Sequence, residues 1–480
     1  MGICWMNIRE NMLFNSLAFL FFFPIVCILY FCIPAHQIRI RNLTLLIASY
    51  YFYMNWEPSY ALLLLTSTAV TFFSALGIGH VKEKIKKKCF LTASLVINLA
   101  ILFLFKYYNF LTYNIQEALQ YCHLSIYIPD FKLLLPVGIS FYTFQALGYS
   151  IDVYRGTTKV EHNFLTYALF VSFFPQLVAG PIERSNNLLK QFKSVHHFDY
   201  DRVMIGIKQI VWGYFMKLAL ADRCAIYVNL VFNHLDYFSG GDYLLASLLF
   251  PFQIYGDFAG YSLIAIGVAN VLGFRLMENF RRPYLSCCVG EFWHRWHISL
   301  STWFKDYVYI PLGGNRVSRF RNYINLLTTF IVSGIWHGAN WTFFFWGGLH
   351  GLLLCIEKAL GVGKTEYSGI SKYFHMITTF MIISFAWVIF RANNLNDAIK
   401  VFKGIVMDFR KPDLQYGVLI ASLIAIFVLL LKEIFSESQW QWYVKAVNSK
   451  TLLHIYLVLI ISYIVIFGVF SGDQFIYFQF

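Results

Sequence analysis

Long apolar runs recur along the whole chain, and they constrain its fold more than any other feature. A helix needs about 17–25 mainly apolar residues to cross the hydrocarbon core of a bilayer, and several of the runs are shorter or broken. We therefore predict an all-α, polytopic membrane helical bundle of roughly 10–13 transmembrane or re-entrant helices. The runs lie at 13–35, 43–55, 57–79, 90–112, 133–153, 163–181, 203–232, 243–274, 322–337, 341–356, 373–391, 416–431 and 452–471.

The amounts of charged and apolar residues agree with a membrane protein. Only 13% of the 480 residues are charged and 58% are hydrophobic, whereas soluble domains average about 25% and 45–50%. The net charge of +13 comes largely from short basic connections such as 80–89. Such connections stay on the cytoplasmic side and contact the lipid bilayer. This placement argues against a nucleic-acid partner.

The chain reads as one domain. No internal repeat and no pair of matching halves of the kind found in inverted-repeat transporters is visible. The first apolar run has no small-residue cleavage site, so we interpret it as a helix and not as a signal peptide. The nine cysteines include no C-x-x-C pair, so they provide no disulfide or zinc framework.

A histidine stands in the middle of the longest uncharged stretch. Residues 322–356 contain no Asp, Glu, Lys or Arg, and Trp336-His337-Gly338-Ala339-Asn340 lies at their centre. Polar groups at membrane depth usually face the bundle interior or a water-filled path, so they are functional candidates. Acyl transfer to a hydroxyl needs a base, and a buried neutral imidazole suits that role. A core histidine bonded across helices is the alternative.

A second histidine lies in an aromatic segment at 291–315. On a helical wheel, its large apolar and aromatic residues form one stripe with His297 at the edge, and Arg295 and Asp306 point away. Pro311 and the following Gly pair would end that helix. We predict an interfacial or re-entrant helix with His297 facing inward. The stripe consists of Trp293, Trp296, Leu300, Trp303, Phe304 and Tyr307.

Asp257 is a third polar intrusion. It lies in the apolar run 243–274, where Pro251, Gly256 and Gly260 predict a kinked or interrupted helix. Its carboxyl group is either protonated or paired for structural reasons, or it orients a catalytic group. His294 and His297 have the i, i+3 spacing of a metal pair, but no third ligand follows, and we expect no metal.

Several motifs together resemble the membrane-bound O-acyltransferase family, in particular its bacterial branch of alginate O-acetyltransferases and teichoic-acid D-alanyl transfer proteins. The resemblance covers about 12–480, which we treat as a single domain, and leaves 1–11 as an N-terminal extension. Gly256 and Ala259 depart from the family pattern, in which Phe and Ser are frequent. The motifs are FWHRWHISLS (292–301), GGNR (313–316), GIWHGANW (334–341), QIYGDFAGYS (253–262), ENF (278–280), PVGISFYTFQ (136–145), PQLVAGPI (175–182), FRAN (390–393) and FIYFQF (475–480).

The resemblance implies a role for the two histidines. His337 matches the catalytic histidine of the family, and His297 matches the second motif histidine. The family also has a bundle with a central funnel or tunnel. By this resemblance we expect Asp257, Asn340 and Trp336 to orient groups or to line the tunnel.

The resemblance also implies an activity and a location. It predicts an O-acyltransferase that moves an acetyl group from a cytoplasmic donor to an extracytoplasmic polysaccharide in the bacterial cytoplasmic (inner) membrane. The donor is acetyl-CoA or another acyl donor, used as a substrate and not as a bound cofactor, and Arg295 and Arg316 could attract its phosphates. An extracytoplasmic esterase-like acetyltransferase protein is the expected partner. D-alanyl transfer to teichoic acid and a transporter or flippase for a cell-envelope glycan precursor are the alternatives.

Overall fold

The structure is a computed structural model, and it describes residues 12–124, 126–131, 135–363, 367–413, 416–438 and 440–470. The N-terminal extension and the FIYFQF motif lie outside these residues. No strand occurs in any of the described segments, and the predicted all-α fold is confirmed. The α-helices in chain order are α1 (Leu17–Cys32), α2 (Ile38–Met54), α3 (Tyr60–His80), α4 (Lys84–Lys106), α5 (Tyr108–Tyr121), α6 (Ile139–Arg155), α7 (Phe164–Ser172), α8 (Phe174–Leu177), α9 (Ser185–Gln191), α10 (Tyr200–Tyr214), α11 (Asp222–Asn233), α12 (Gly240–Leu272), α13 (Val289–Arg295), α14 (Ile298–Phe304), α15 (Arg319–His337), α16 (Trp341–Leu360), α17 (Gly369–Arg391), α18 (Leu395–Met407), α19 (Tyr416–Ser438), α20 (Gln441–Asn448) and α21 (Lys450–Phe467).

Within the described part of the chain, eight helical segments have the length and apolar composition needed to cross a membrane. Two shorter apolar helices, Leu17–Cys32 and Phe164–Leu177, accompany them. The protein is therefore a multi-pass membrane protein. The eight segments are Tyr60–His80, Lys84–Lys106, Tyr200–Asn233, Gly240–Leu272, Trp341–Leu360, Gly369–Arg391, Tyr416–Ser438 and Lys450–Phe467.

The chain forms two compact units. The first comprises Met1–Phe105, Leu133–Ile210 and Ile264–Leu276, and the second comprises Lys106–Lys132, Val211–Leu263 and Met277–Phe480. An aromatic cluster fills part of the first unit, where the rings of Phe22 and Phe174 meet edge to face with their centroids 5.4 Å apart. The candidate site residues Asp257, Arg295, His297, Arg316, Trp336, His337 and Asn340 all belong to the second unit.

The predicted interruption of the helix around Asp257 is wrong. Residues Gly240–Leu272 form one continuous helix of 33 residues that contains Pro251. The glycines have a packing function instead: a Cβ atom at Gly256 would lie 2.7 Å from the carbonyl oxygen of Met216, and one at Gly260 would lie 2.8 Å from that of Gly213. They let α12 approach the neighbouring π-helical segment, Phe215–Ala221, at backbone distance.

Helices α15 and α16 form a tight antiparallel pair. A Cβ atom at Gly334 would lie 2.2 Å from the carbonyl oxygen of Phe343, and one at Gly347 would lie 2.3 Å from that of Phe330. Small residues that allow such close backbone approach are typical of helix pairs in membranes. This pair carries His337 at its turn.

Candidate active site

The turn between α15 and α16 explains the Trp-His-Gly-Ala-Asn motif. His337 is the last residue of α15, and Gly338 leaves the helix in an extended conformation. A Cβ atom at Gly338 would lie 2.1 Å from the ring of Phe343. The Asn340 side chain then accepts a hydrogen bond from the Thr342 backbone N–H at 3.0 Å and begins α16. The motif therefore ends one helix and starts the next, with the histidine at the break.

The His337 side chain is enclosed by aromatic rings. Only 3% of the residue is exposed. Its ring meets those of Trp346 and Phe390 edge to face, with centroids 5.2 Å and 5.4 Å away, and the adjacent Trp336 ring is at 5.0 Å. These contacts hold the imidazole in one orientation within the second unit.

His297 occupies a second break, which the sequence did not predict. The segment 291–315 is not one helix: α13 ends at Arg295, and α14 begins at Ile298. His297 between them has a φ of 43°, in the left-handed region that non-glycine residues rarely adopt. The helical stripe assumed from the sequence is therefore wrong, although His297 does face inward and is 1% exposed.

Asn279 holds His297 in place. Its Oδ1 atom accepts hydrogen bonds from the Ser299 backbone N–H at 3.2 Å and from Ser299 Oγ at 2.9 Å. His297 Nδ1 lies 3.1 Å from the same oxygen. Because the backbone N–H identifies that atom as an acceptor, Nδ1 must carry the proton, and Nε2 is the unprotonated nitrogen. Asn279 thus selects the tautomer of His297.

Both histidines lie close to the indole of Trp336. The Trp336 ring centroid is 6.2 Å from that of His297 and 5.0 Å from that of His337. His297 lies outside the eight candidate spans, and burial lowers the pKa of its imidazole to about 3. It is therefore neutral near pH 7 and able to accept a proton.

Asp257 belongs to a buried ion triad. Lys217 Nζ lies 2.7 Å from a carboxylate oxygen of Asp222 and 2.7 Å from one of Asp257. The next residue, Phe258, packs its ring against His297 with the centroids 4.6 Å apart. Asp257 thus fixes the segment that supports the histidine.

The remaining predicted site residues lie at different places in the second unit. Trp336 lies close to both histidines, whereas Asn340 Nδ2 donates to the Asn393 carbonyl at 2.8 Å. Arg295 is bound by two carboxylates, those of Glu291 at 2.7 Å and Glu437 at 2.9 Å. Arg316 is exposed in the connection that precedes α15.

A cavity of about 890 Å³ lies beside this site. Its walls come from α13 to α16 and the segments next to them, and it extends along α15 as far as Ser333. Trp293 lines it and contacts the ring of Trp346, which in turn contacts His337. The volume is within the range of small-molecule sites, about 300–1,000 Å³.

Two residues that the sequence analysis did not assign to the site support it directly. Asn279 lies in the ENF motif, but nothing in the sequence indicated that it binds His297. Lys106 is the only charged residue between Cys89 and Gln116, and its Nζ donates to the backbone carbonyl of His337 at 2.8 Å. A lone charge in an apolar run needs a partner, so Lys106 was identifiable in the sequence on the same grounds as Asp257.

Comparison with known proteins gives one consistent result. Residues 159–396 match the model of the family described as MBOAT, membrane-bound O-acyltransferase family. The chain is 41% identical to a probable alginate O-acetylase of Pseudomonas aeruginosa, over 82% of this chain and 75% of that protein. It is 36% identical to a peptidoglycan O-acetyltransferase of Helicobacter pylori, over 82% of this chain and 80% of that protein. A teichoic acid D-alanyltransferase of Streptococcus thermophilus is 33% identical over 48% of this chain and 58% of its own length.

Proposed function

Because the chain belongs to the membrane-bound O-acyltransferase family, we propose that it moves an acetyl group from a cytoplasmic donor to hydroxyl groups of an extracytoplasmic polysaccharide. The two buried histidines, both close to the Trp336 ring, carry this proposal. The relatives named as O-acetylases match over 82% of the chain, whereas the D-alanyltransferase of Streptococcus thermophilus matches over 48%. This difference favours acetyl over D-alanyl. The family assignment favours an enzyme over the transporter alternative.

His337 is the proposed base. An acceptor hydroxyl becomes nucleophilic when a neutral imidazole takes its proton as the oxygen attacks the acyl carbonyl, and the imidazolium returns that proton to the leaving group. His337 is the last residue of α15, at the break before α16. His297 lies beside the same Trp336 ring and is proposed to position the reacting groups.

The distribution of charge supports a direction for the reaction. Arg319 and Arg321 stand at the start of α15, and Lys358 stands near the end of α16, so the basic residues of this helix pair share one end. Residues 322–356, which contain the turn with His337, have no Lys or Arg. Since basic connections remain cytoplasmic, the turn is on the extracytoplasmic side.

The cavity supports a donor that enters from the cytoplasm. It is lined by Glu357 and Lys358 near the basic end of the helix pair, and by Ser333 at its other end. Ser333 precedes His337 by four residues, or about 6 Å of helix. A donor held there would bring its acyl group to about one helical turn from the proposed base.

Lysine side chains are better placed than Arg295 to meet a donor phosphate. The charge of Arg295 is offset by Glu291 and Glu437, whereas Lys305 and Lys372 line the cavity. We propose acetyl-CoA as the donor, with these lysines near its phosphates. Arg316 remains a prediction.

We also propose a cellular location and a partner protein for the reaction. We place the protein in the bacterial cytoplasmic membrane, as the basic connections and the bacterial relatives suggest. A separate extracytoplasmic esterase-like protein would receive the acetyl group and complete its transfer. Affinity purification of the tagged protein from its own membrane, followed by mass spectrometry, tests for that partner.

Replacement of His337 by alanine tests the proposal. We expect His337→Ala to insert in the membrane at the wild-type level and to lose the ester-linked acetate of the cell-surface polysaccharide. His454→Ala is the matched control, because His454 is exposed on α21. Mild alkaline release of the acyl groups, followed by NMR, distinguishes acetate from D-alanine. A wild-type acetate content in His337→Ala would refute the proposal.

A further inference from the structure

The carbonyl groups at the end of α15 are bound by side chains from a distant part of the sequence. Lys106 Nζ donates to the carbonyl oxygens of Trp336 at 2.9 Å and His337 at 2.8 Å. The hydroxyl of Tyr107 donates to the backbone carbonyl oxygen of Ile335 at 2.9 Å. A helix end leaves its last four carbonyls without helical partners. Two consecutive residues therefore bind three of these four.

This arrangement replaces the usual helix stop. Helices often end with a left-handed glycine whose backbone N–H satisfies the free carbonyls. Gly338 instead has a φ of −169° and leads the chain away in an extended form. The last turn of α15, which carries His337, receives those hydrogen bonds from the side chains of Lys106 and Tyr107.

The position of the ammonium group is electrostatically favourable. Lys106 ends the apolar helix α4, where an unpartnered charge would be costly. At the end of α15 its charge meets the negative end of the helix dipole. It also lies 5.8 Å from the centre of the Trp336 ring, within the range of a cation–π contact.

We propose that Lys106 and Tyr107 form a clamp that positions His337 for acyl transfer, an inference that rests on the function proposed above. The clamp holds the backbone of His337 at its carbonyl, while Trp346 and Phe390 hold the ring. With both ends fixed, the imidazole keeps one position relative to the acyl group. Lys106 and Tyr107 are thus positioning residues that act through His337.

Three substitutions distinguish a positioning role of Lys106 and Tyr107 from an effect of the Lys106 charge alone and from a general loss of folding. Lys106→Met keeps an unbranched chain of similar length, one atom shorter, and removes both hydrogen bonds, so the last turn of α15 loses two of its anchors. A displacement of about 1 Å can lower a rate about 100-fold, and we expect kcat to fall about 10- to 100-fold with the KM for the donor little changed. Lys106→Arg can still donate to both carbonyls and should recover most of kcat. Tyr107→Phe loses one bond and should lower kcat a few-fold.

The measurement uses membrane vesicles from the host, which retain its polymer and partner proteins. Radiolabelled acetyl-CoA is supplied at increasing concentrations, and the initial rate of label incorporation into polymer is divided by the amount of folded protein. Lys432→Met is the matched control: Lys432 also places its ammonium over a tryptophan, Trp212, at 3.6 Å, but at another place in the second unit.

The outcomes separate this inference from the proposed function. If His337→Ala incorporates label at the wild-type rate, the proposed function fails and the clamp fails with it. If His337→Ala is inactive while folded Lys106→Met keeps the wild-type kcat, the clamp alone is overturned. A rise in KM at constant kcat would likewise contradict positioning. Should Lys106→Met not be recovered as folded protein, Tyr107→Phe decides, and an unchanged kcat overturns the clamp.

Discussion

Replacing Asp257 with asparagine is expected to destabilise the protein while leaving the chemistry of the folded fraction largely intact. Lys217 lies between the carboxylates of Asp222 and Asp257, at 2.7 Å from each, and all three side chains are at most 4% exposed. They join α12 to the π-helical segment and to the start of α11. The triad is thus a structural connection among three helical segments.

The loss in the free energy of unfolding depends on which of the three charges is removed. Asp257→Asn keeps the shape of the side chain and leaves Lys217 paired with Asp222. It loses one charge-assisted hydrogen bond, which costs about 1.5–3 kcal/mol. Lys217→Met leaves two buried carboxylates without their cation and should cost about 3–5 kcal/mol. Because an apolar or neutral replacement of a whole buried ion group is often tolerated, changing all three residues should restore part of the stability.

Thermal unfolding of the detergent-purified variants, followed by tryptophan fluorescence, tests this order. Asp236→Asn is the matched control, since Asp236 pairs with Lys400 at the surface with 89% of its side chain exposed, and surface pairs contribute little. Acetyl incorporation per folded molecule is measured in parallel. A wild-type melting temperature for Asp257→Asn, together with the inactivity expected of His337→Ala, would refute the structural role and place Asp257 in the chemistry.

Two further predictions concern the supports of the histidines. Asn279→Leu removes the oxygen that accepts hydrogen bonds from both His297 and Ser299. Because each buried group left unsatisfied costs about 1–3 kcal/mol, the melting temperature should fall strongly in this variant and less in Asn279→Asp. Equal melting temperatures of the Leu and Asp variants would contradict this. Gly334→Ala places a Cβ atom 2.2 Å from a backbone carbonyl of α16 and should cost about 1–3 kcal/mol. Gly348→Ala, with nothing within 4 Å of its Cβ position, should melt at or above the wild-type temperature, and similar melting of the two alanine variants would contradict the packing argument.

The fold class was predictable because it follows from an average property. Apolar runs of spanning length in a chain with few charges can be satisfied only by helices or closed barrels, and the runs are long enough for helices. The helix break at His337 was also partly visible, since Gly338 follows it directly and Asn340 is three residues after it. Local sequence was sufficient for these two features.

The segment around His297 shows why a helical wheel failed. A wheel assumes that each residue turns by the same angle, and one residue with a φ of 43° changes the direction of all that follow. The conformation is held by Asn279, 18 residues earlier in the chain. No periodicity in 291–315 could reveal a constraint that lies outside it.

The polar groups within this apolar fold share a common arrangement. Asp257 is met by Lys217, His297 by Asn279, and the end of α15 by Lys106, so each partner comes from a different and sometimes distant segment. Since an unpartnered polar group in an apolar interior costs several kcal/mol, these pairings favour one arrangement of the helices over others that bury the same apolar area. The same pairings fix the backbone of His337, the tautomer of His297 and the helix beside them. In this protein, the interactions that select the fold of the second unit are therefore the ones that orient its candidate active site.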